Sequence, residues 1–222
     1  MYPSLAGLWG LSQAQAAALG EHGKLLAAGR GETIVRRGVP LPGVLVITAG
    51  TVKLSLRSAD GEERVLHIVG PGESFGEPTA LLGRPCLYDA VALTEAKLLC
   101  VPAASIFALV ARDARFARRL VLALAERSFA VLSELHAATT QRGAQRLASY
   151  LEALPTRPGS SGVRTVDLPL SKTVIAARLG MKKETLSRLL HQFAADGIID
   201  VRRREIAILD RRRLGAAAHH PA

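Results

Sequence analysis

Apolar residues near the end of the chain recur with the period of a helix. After Lys183, four of them stand at i, i+3, i+4 and i+7, which places them on one helix face: Leu186, Leu189, Leu190 and Phe193. Glu184, Ser187 and Arg188 fall on the opposite face, in the first turns. The pattern predicts an amphipathic helix that buries one side and presents hydrogen-bonding groups on the other.

A second helical pattern, from residue 172 to 179, precedes this helix by one short turn. Ser171 is a suitable N-cap because its hydroxyl can accept a backbone N–H bond. The inward-facing positions are Val174, Ile175 and Leu179. Ala176 is small where the two helices would cross, and Gly180 permits a tight turn. We therefore predict a helix-turn-helix whose second helix is the recognition helix, with an ordinary helical hairpin as the alternative.

Short apolar runs at 198–201 and 206–209 predict a β-hairpin, and 165–168 is a candidate third strand. The hairpin tip is basic, so the whole arrangement predicts a winged helix. In the major groove, arginine suits the O6/N7 edge of guanine, glutamate the amine of cytosine, and serine a polar edge or the thymine methyl. The expected DNA-binding residues are Ser171, Lys172, Lys182, Lys183, Glu184, Thr185, Ser187, Arg188, Arg202, Arg203 and Arg204.

The front half of the chain has the pattern of a β domain that follows a leading helical segment at 4–22. Candidate strands are 33–36, 44–48, 52–56, 64–69, 90–92 and 97–101. Asp60-Gly61 is a hairpin turn signal. Glycines at 38, 50, 61, 72, 76 and 83 recur at intervals of about ten residues, which is typical of a small barrel or jelly roll.

A helical stretch without proline or glycine follows, from 105 to about 139. A heptad seam runs along it through Ala117, Val121, Leu124, Ser128, Val131, Leu135 and Ala138. We interpret the seam as a dimer interface, with packing on the chain's own barrel as the alternative. Thr140 is expected to cap a helix over 141–154, and 155–162 is expected to be a loop. The predicted domains are therefore 1–104 (β-barrel sensor), 105–139 (dimerisation helix) and 140–222 (winged helix-turn-helix), an α+β fold.

The positive charge is concentrated at the C-terminal end. Net charge is +10, yet residues 1–110 carry nine basic and nine acidic side chains. Residues 139–222 carry fifteen basic and seven acidic side chains. A local excess of this kind favours a polyanionic partner, and binding to DNA phosphates should weaken steeply with salt.

The remaining sequence features exclude several other classes of protein. No apolar run reaches the length of a membrane span, and Met1-Tyr2-Pro3-Ser4 does not resemble a secretory signal. Cys86 and Cys100 match no metal spacing, so we expect reduced, structural thiols in a cytoplasmic protein. A cupin enzyme would need a His-x-His pair that His67 does not supply, and no nucleophile motif or phosphate loop is present. We expect a protein that is not an enzyme.

A β barrel, a long helix and a C-terminal winged helix in this order resemble the Crp–Fnr family of bacterial transcription regulators. The similar segments, besides the recognition helix, are Gly50-Thr51-Val52-Lys53-Leu54, Asp60-Gly61-Glu62-Glu63, and Gly70-Pro71-Gly72-Glu73-Ser74-Phe75-Gly76-Glu77. The resemblance covers nearly the whole chain. It implies a cytoplasmic homodimer that binds a palindromic operator in double-stranded DNA and contacts RNA polymerase.

The chain departs from the family pattern at the effector pocket, which would comprise Gly76, Glu77, Leu87, Tyr88, Val131 and Leu132. In the branch that binds cyclic AMP, an Arg-Ser pair follows the Gly-Glu pair by ten residues and holds the phosphate. Leu87 and Tyr88 occupy those positions here, so a buried phosphate would have no cation partner. Val131 and Leu132 are apolar where that branch contacts adenine. Cyclic AMP is therefore not the expected effector, although a cyclic-nucleotide-responsive regulator is the alternative reading.

The sequence is compatible with several kinds of signal. The iron–sulfur branch of the family needs four cysteines, and this chain has two. Haem stays a candidate cofactor through His22, His67 or His136, as in family members that sense carbon monoxide or nitric oxide. A weaker resemblance of the 85–88 region to regulators of denitrification favours a sensor of nitric oxide, oxygen or redox state. A β-barrel scaffold without specific DNA binding is the alternative from a different class.

The resemblance also implies an operator sequence. Glu-x-x-Ser-Arg in the recognition helix resembles the branch that reads TTGAT half-sites, whereas the cyclic-AMP branch has glycine at the serine position and prefers TGTGA. Glu184, Ser187 and Arg188 follow the first pattern. Lys183 departs from both branches, so the outermost base of the half-site is the least defined. The implied operator is an inverted repeat close to TTGAT…ATCAA.

Overall fold

The computed structural model describes residues 8–58, 61–158 and 163–219. These residues form two compact units, Met1–Ala130 and Val131–Ala222. Each unit has its own apolar core or cores. No helix within the described ranges is both long enough and apolar enough to cross a membrane.

The N-terminal unit is built on two four-stranded antiparallel sheets. Its strands are β1 (Lys24–Ala28), β2 (Thr33–Val35), β3 (Gly43–Ala49), β4 (Val52–Arg57), β5 (Glu63–Val69), β6 (Ser74–Phe75), β7 (Asp89–Ala92) and β8 (Ala96–Pro102). One sheet has the order β1-β8-β3-β6 and the other β2-β7-β4-β5. Buried side chains from both sheets, such as Ile47 and Leu54, form one core between them. The predicted jelly roll is confirmed.

Six of these eight strands coincide with predicted ones, and the other two have weak sequence signals. Strand β1, Lys24–Ala28, contains leucine and alanine but no β-branched or aromatic residue. Strand β6, Ser74–Phe75, has two residues, too few to show alternation. The predicted Asp60-Gly61 turn lies partly outside the described residues, although Gly61 itself has a φ of 80° and donates its amide to the Ser58 carbonyl.

Helices cover one side of the first sheet and extend from it. A short 3-10 helix at Leu8–Gly10 precedes α1 (Gln13–Glu21), and α2 (Glu77–Leu82) follows β6. Helices α3 (Ala103–Arg112) and α4 (Ala114–Thr140) follow β8. Leu99, Ile106, Phe116 and Leu120 belong to a second core, formed by β8, α3, α4 and the N-terminal helices.

The helix predicted over 105–139 is therefore two helices, which corrects the expectation of one continuous element. Asp113 separates them with extended backbone, φ −134° and ψ 97°. Its carboxylate accepts the backbone amides of Arg115 and Phe116, each at 2.9 Å, and so caps α4. The aspartate side chain competes with the helical backbone for N–H donors, and the spacing of apolar residues does not reveal this local effect.

The C-terminal unit contains the winged helix. After the end of α4 come α5 (Gly143–Ala153), β9 (Thr156–Pro158), β10 (Arg164–Asp167), α6 (Lys172–Arg178), α7 (Lys183–Ala195), β11 (Ile199–Arg202), β12 (Glu205–Ile208) and α8 (Arg211–His219). The sheet order is β11-β12-β10-β9. Leu151, Val166, Ile175, Leu186 and Ile206 bring five of these elements into one core.

Two expectations for this unit need correction, and one helix was not predicted. Thr140 is the last residue of α4, and Arg142 is the N-cap of α5, with its backbone amide donated to Gln145 Oε1. The loop expected at 155–162 contains strand β9, which pairs with β10 through the register Thr165↔Arg157. Residues 159–162 lie outside the described part of the chain. Helix α8 has no counterpart among the predicted elements.

Candidate nucleic-acid interface

Helices α6 and α7 form the predicted helix-turn-helix. The hydroxyl of Ser171 accepts the amide of Val174 and caps α6 as expected. Gly180 has a φ of 63°, which lets the chain reverse after Leu179. The amide of Met181 then donates to the carbonyl of Ala176 at 3.0 Å and closes the turn.

The apolar face of α7 is buried as its periodicity predicted. Leu186, Leu190 and Phe193 are each less than 5% exposed and belong to the core of this unit. Leu189 is half-buried and packs against the same core. Because these four side chains fix the rotation of α7 about its axis, they also fix which residues face outward.

The outward face of α7 carries the polar residues expected to read bases. Lys183, Glu184 and Arg188 are exposed, and Ser187 and Thr185 are half-exposed. None of these five side chains forms a hydrogen bond or ion pair with another residue in the described ranges. Their donors and acceptors are therefore available to an external partner.

The wing is a two-residue turn between β11 and β12, and its arginines differ in their surroundings. Arg202 Nε lies 2.9 Å from Asp200 Oδ2, and Arg204 Nε donates to the Leu168 carbonyl at 3.3 Å. Arg203, at the tip with a φ of 57°, has no such contact within the described part of the chain. Arg203 is thus the wing arginine whose whole guanidinium is free to meet a phosphate.

An ion-pair network beside the wing was not expected from the sequence. Arg157 on β9 contacts Asp167 on β10 at 2.8 Å and Glu205 on β12 at 2.8 Å. The guanidinium holds the pKa of the Asp167 carboxyl below its usual value. Pairing with Arg157 reduces the repulsion that Glu205 would exert on a phosphate near the wing. The strand that carries Arg157 fell inside a predicted loop, so the sequence offered no cross-strand partner for it.

Among the residues predicted to form the effector pocket in the β domain, Glu77 forms an ion pair with Arg127. Glu77, the first residue of α2, is 1% exposed. Arg127 of α4 places Nη1 at 3.2 and 3.3 Å from the two Glu77 carboxylate oxygens and at 2.8 Å from the Ser74 carbonyl. The Ser74 hydroxyl also donates to Glu77. Gly76 supports the turn with a φ of 89°, a backbone conformation that other residues rarely adopt.

Sequence reasoning missed Arg127 and Ser74, although Arg127 had a detectable signal. It continues the inward stripe of α4 after Phe116, Leu120 and Leu124, where a further apolar residue would be expected. A cation at such a position indicates a buried acidic partner.

The other residues predicted for the effector pocket differ in their burial and in the unit to which they belong. Tyr88 is half-buried against the barrel core, and burial raises the pKa of its phenol, with smaller contributions from Cys86 and Glu77. Leu87 is exposed. The structure therefore brings Gly76, Glu77 and Tyr88 together in the N-terminal unit. Val131 and Leu132 are exposed residues of α4 in the other unit.

Comparison with known proteins decides the family. Residues 26–113 match the model of the cyclic nucleotide-binding domain, and residues 145–217 match that of the Crp-like helix-turn-helix domain. The chain is 30% identical over 193 residues to the cyclic AMP receptor protein of Thermus thermophilus, covering 85% of this chain and 87% of that protein. The chain belongs to the Crp–Fnr family. It is a DNA-binding transcription regulator.

Two further Crp–Fnr proteins agree with this assignment. The chain is 28% identical over 191 residues to the CRP-like cAMP-activated global transcriptional regulator of Mycobacterium tuberculosis, covering 85% of each. The crystal structure of a CRP-family transcriptional regulator from Thermus thermophilus is similar at a TM-score of 0.68 and 26% identity. That similarity covers 88% of this chain and 97% of the other.

The long helix of this Crp–Fnr chain exposes many apolar side chains along the predicted seam. Among the seam residues, Val121, Ser128, Val131 and Leu135 are exposed. Leu122, Phe129 and Leu132, beside the seam, are exposed as well. Leu124 is half-buried and packs against the core of the N-terminal unit, and Ala117 is half-buried. The side chain of Ala138 lies outside the described residues.

The histidines and cysteines lie on separate elements. His22 is the C-cap of α1, His67 is half-buried on β5, and His136 is exposed on α4. In the described ranges no three His, Cys, Asp or Glu side chains cluster in a way that could hold a metal ion. Cys86 and Cys100 are free thiols and both are buried, and burial raises the pKa of Cys100.

Proposed function

We propose that the protein is a homodimer that reads an inverted repeat close to TTGAT…ATCAA, with half-sites about one helical turn apart, roughly 34 Å. The observation that carries this proposal is the outward face of α7. Glu184, Ser187 and Arg188 project from the first two turns of that helix without partners in the described chain. Buried leucines on the opposite face hold them in this orientation.

Each of these side chains has a distinct role in the proposed complex. Arg188 donates two hydrogen bonds to guanine, Glu184 accepts from the amine of cytosine, and Ser187 selects the outer thymine. Lys183 contacts a phosphate or a further guanine. Arg203 of the wing neutralises a phosphate and adds affinity that does not depend on sequence.

Dimerisation is proposed to occur through α4. A palindromic operator requires two copies of the recognition helix related by a twofold axis. The exposed Val121, Val131 and Leu135 lie at heptad spacing, so two copies of α4 can pack these side chains together. The bound dimer would act in the cytoplasm, where it would contact RNA polymerase.

The proposed signal is not cyclic AMP but another small molecule, a gas or a redox change. Leu87 and Tyr88 supply no cation for a phosphate at the positions where the cyclic-AMP branch has Arg-Ser. Arg127 already pairs with Glu77 through Nη1, so a ribose or phosphate at this position would compete with that ion pair. Both features support a pocket that does not take the nucleotide.

A mobility-shift experiment tests the proposed function. The full-length protein is titrated with three labelled duplexes: a TTGAT inverted repeat, a TGTGA inverted repeat and a scrambled sequence, each at two salt concentrations. We expect the TTGAT repeat to bind tightest, and the scrambled duplex to lose affinity steeply with added salt. Equal binding to all three would contradict the proposal and favour a barrel scaffold without specific DNA recognition.

The exclusion of cyclic AMP is tested by calorimetry, with the cyclic AMP receptor protein of Thermus thermophilus as the positive control. We expect no heat of binding to this chain at micromolar cyclic AMP, and unchanged operator affinity when the nucleotide is added. Micromolar affinity would contradict this part of the proposal. An absorption spectrum of the same preparation tests for haem, since a Soret band would identify a haem sensor.

A further inference from the structure

Helix α5 begins against the turn of the helix-turn-helix. The contact is close at Gly143, the first residue of α5. A side-chain carbon added there would lie 3.5 Å from Leu189 Cδ1 and 3.6 Å from Met181 Cε. Met181 belongs to the turn and Leu189 to the recognition helix. The start of α5 thus packs on the two elements that orient the base-reading side chains.

Arg146, one turn into α5, connects two backbone carbonyls that lie far apart in sequence. Its Nε donates to the carbonyl of Leu179 at 2.8 Å, and its Nη1 donates to the carbonyl of Gln141. Leu179 is the C-cap of α6, immediately before the turn. Gln141 lies in the two-residue junction between the end of α4 and the start of α5. One guanidinium therefore links this junction to the turn before the recognition helix.

The chemistry of the contact explains why arginine suits this position. The carbonyls at the end of a helix lack partners within the helix, and a buried carbonyl left without one is costly. Arginine presents its donors in a rigid plane, so two bonds made at once fix the relative direction of the two segments. Lysine could donate to the same carbonyls but would not hold them at a fixed angle.

We propose that Arg146 is a positioning residue that fixes the direction of α7 relative to the end of α4. If two α4 helices form the dimer, this direction determines how far apart the two recognition helices lie. Arg146 then sets the spacing of half-sites that the protein accepts, although it touches no base. This inference rests on the proposed dimeric, operator-reading function.

The test uses a series of inverted repeats whose half-sites are moved together or apart by one or two base pairs, and a duplex with one half-site. Full-length wild type, Arg146→Lys and Arg164→Lys are compared. Arg164 is an exposed arginine in the same unit and serves as the matched control. We expect wild type and Arg164→Lys to prefer one spacing by at least roughly tenfold, because the two helices must enter successive major grooves. Arg146→Lys should bind the whole series within about threefold, with unchanged affinity for the single half-site.

The other outcomes overturn the inference. If Arg146→Lys keeps the wild-type spacing preference, Arg146 does not position the helix. If the substitution weakens every duplex equally, including the single half-site, Arg146 merely stabilises the fold. If Arg146→Lys folds poorly, Arg146→Gln replaces it in the same binding experiment, because a glutamine side chain can reach at most one of the two carbonyls. A wild type with no preference for inverted repeats of any spacing would remove the proposed function, and this inference with it.

Discussion

Arg188 and Arg203 are exposed arginines with the same charge but different positions in the winged helix. Arg188 lies on the outward face of α7, whereas Arg203 lies at the tip of the wing. A contact to a base edge carries sequence information, and a contact to a phosphate does not. The two residues should therefore affect specificity and affinity separately.

Replacing each arginine by alanine tests this difference. Arg188→Ala should weaken the TTGAT repeat by roughly tenfold to a hundredfold, because a bidentate base contact is worth about 1–3 kcal/mol, with little effect on random DNA. Arg203→Ala should weaken both duplexes similarly and reduce the slope of affinity against salt. Arg212→Ala, an exposed arginine on α8, is the charge-matched control for base preference. Intact base preference in Arg188→Ala would show that the guanidinium does not read guanine.

In the Glu77–Arg127 pair, Glu77 is deeply buried and Arg127 is partly exposed. Replacing one or the other should therefore lower the free energy of unfolding by different amounts. Glu77 is 1% exposed, whereas the side chain of Arg127 is 36% exposed and can still be hydrated. Arg127→Met leaves a buried carboxylate with the Ser74 hydroxyl as its hydrogen-bond donor, and should lower the free energy of unfolding by about 3 kcal/mol. Glu77→Gln should cost about 1 kcal/mol, because the amide still accepts a hydrogen bond.

Denaturant unfolding of both single variants and of the double variant measures the pair. The double variant should recover part of the loss of Arg127→Met, since it contains no unpaired buried charge. If the two single substitutions lower the free energy of unfolding equally, and the loss in the double variant is the sum of the two, the pair does not interact in solution.

At the scale of elements, Asp113 determines where α4 begins. The amide of Phe116 lowers the pKa of its carboxyl, as do the amide of Arg115 and the side chain of Gln15. Because the pKa in the folded state is lowered, the stabilisation exists above the usual pKa near 3.8 and is lost as pH falls through the lower, folded value. Helix α4 should therefore be capped fully at neutral pH and not in strong acid.

Asp113→Ala should lower the melting temperature by roughly 2–4 °C at neutral pH, a typical effect of losing an N-cap in a chain of this size. Asp113→Asn keeps an oxygen that can accept the backbone amides, so its melting temperature should fall by less than that of Asp113→Ala. Melting curves taken from neutral pH down into strong acid, below the lowered pKa of Asp113, should show the wild type and Asp113→Ala converging at the acid end. A constant difference at every pH would mean that the ionised carboxylate is not what caps the helix.

The elements that apolar patterns could predict are those whose pattern is regular over several residues. Strand β4 alternates clearly and was located within one residue, and α7 repeats its leucines with helical spacing, so that its start at Lys183 was predicted. Asp113 and Arg142 set helix boundaries through hydrogen bonds that periodicity does not encode. The partners of Arg127 and Arg146 could not be assigned from sequence, because Glu77 and Leu179 lie 50 and 33 residues away from them.

At the scale of the whole molecule, the exposed apolar residues of α4 predict a dimer. Replacing Val131 and Leu135 together by glutamate should raise the dimer dissociation constant at least roughly a hundredfold, since each buried aliphatic side chain contributes about 1.5–3 kcal/mol. Ala130→Glu, an exposed position off the seam, is the control. Sedimentation velocity measures the association, and affinity for a single half-site should stay unchanged. A wild type that is monomeric at micromolar concentration, with and without operator DNA, would contradict the dimer.

Selection of bound duplexes from random DNA by the full-length protein is the decisive test of specific operator recognition. It makes no assumption about the operator and reports base preference, symmetry and spacing together. We expect an inverted repeat with TTGAT-like half-sites centred about one helical turn apart. Recovery of TGTGA half-sites would contradict the roles given to Glu184, Ser187 and Arg188. Recovery of no enriched sequence at all would contradict specific DNA recognition by this winged helix.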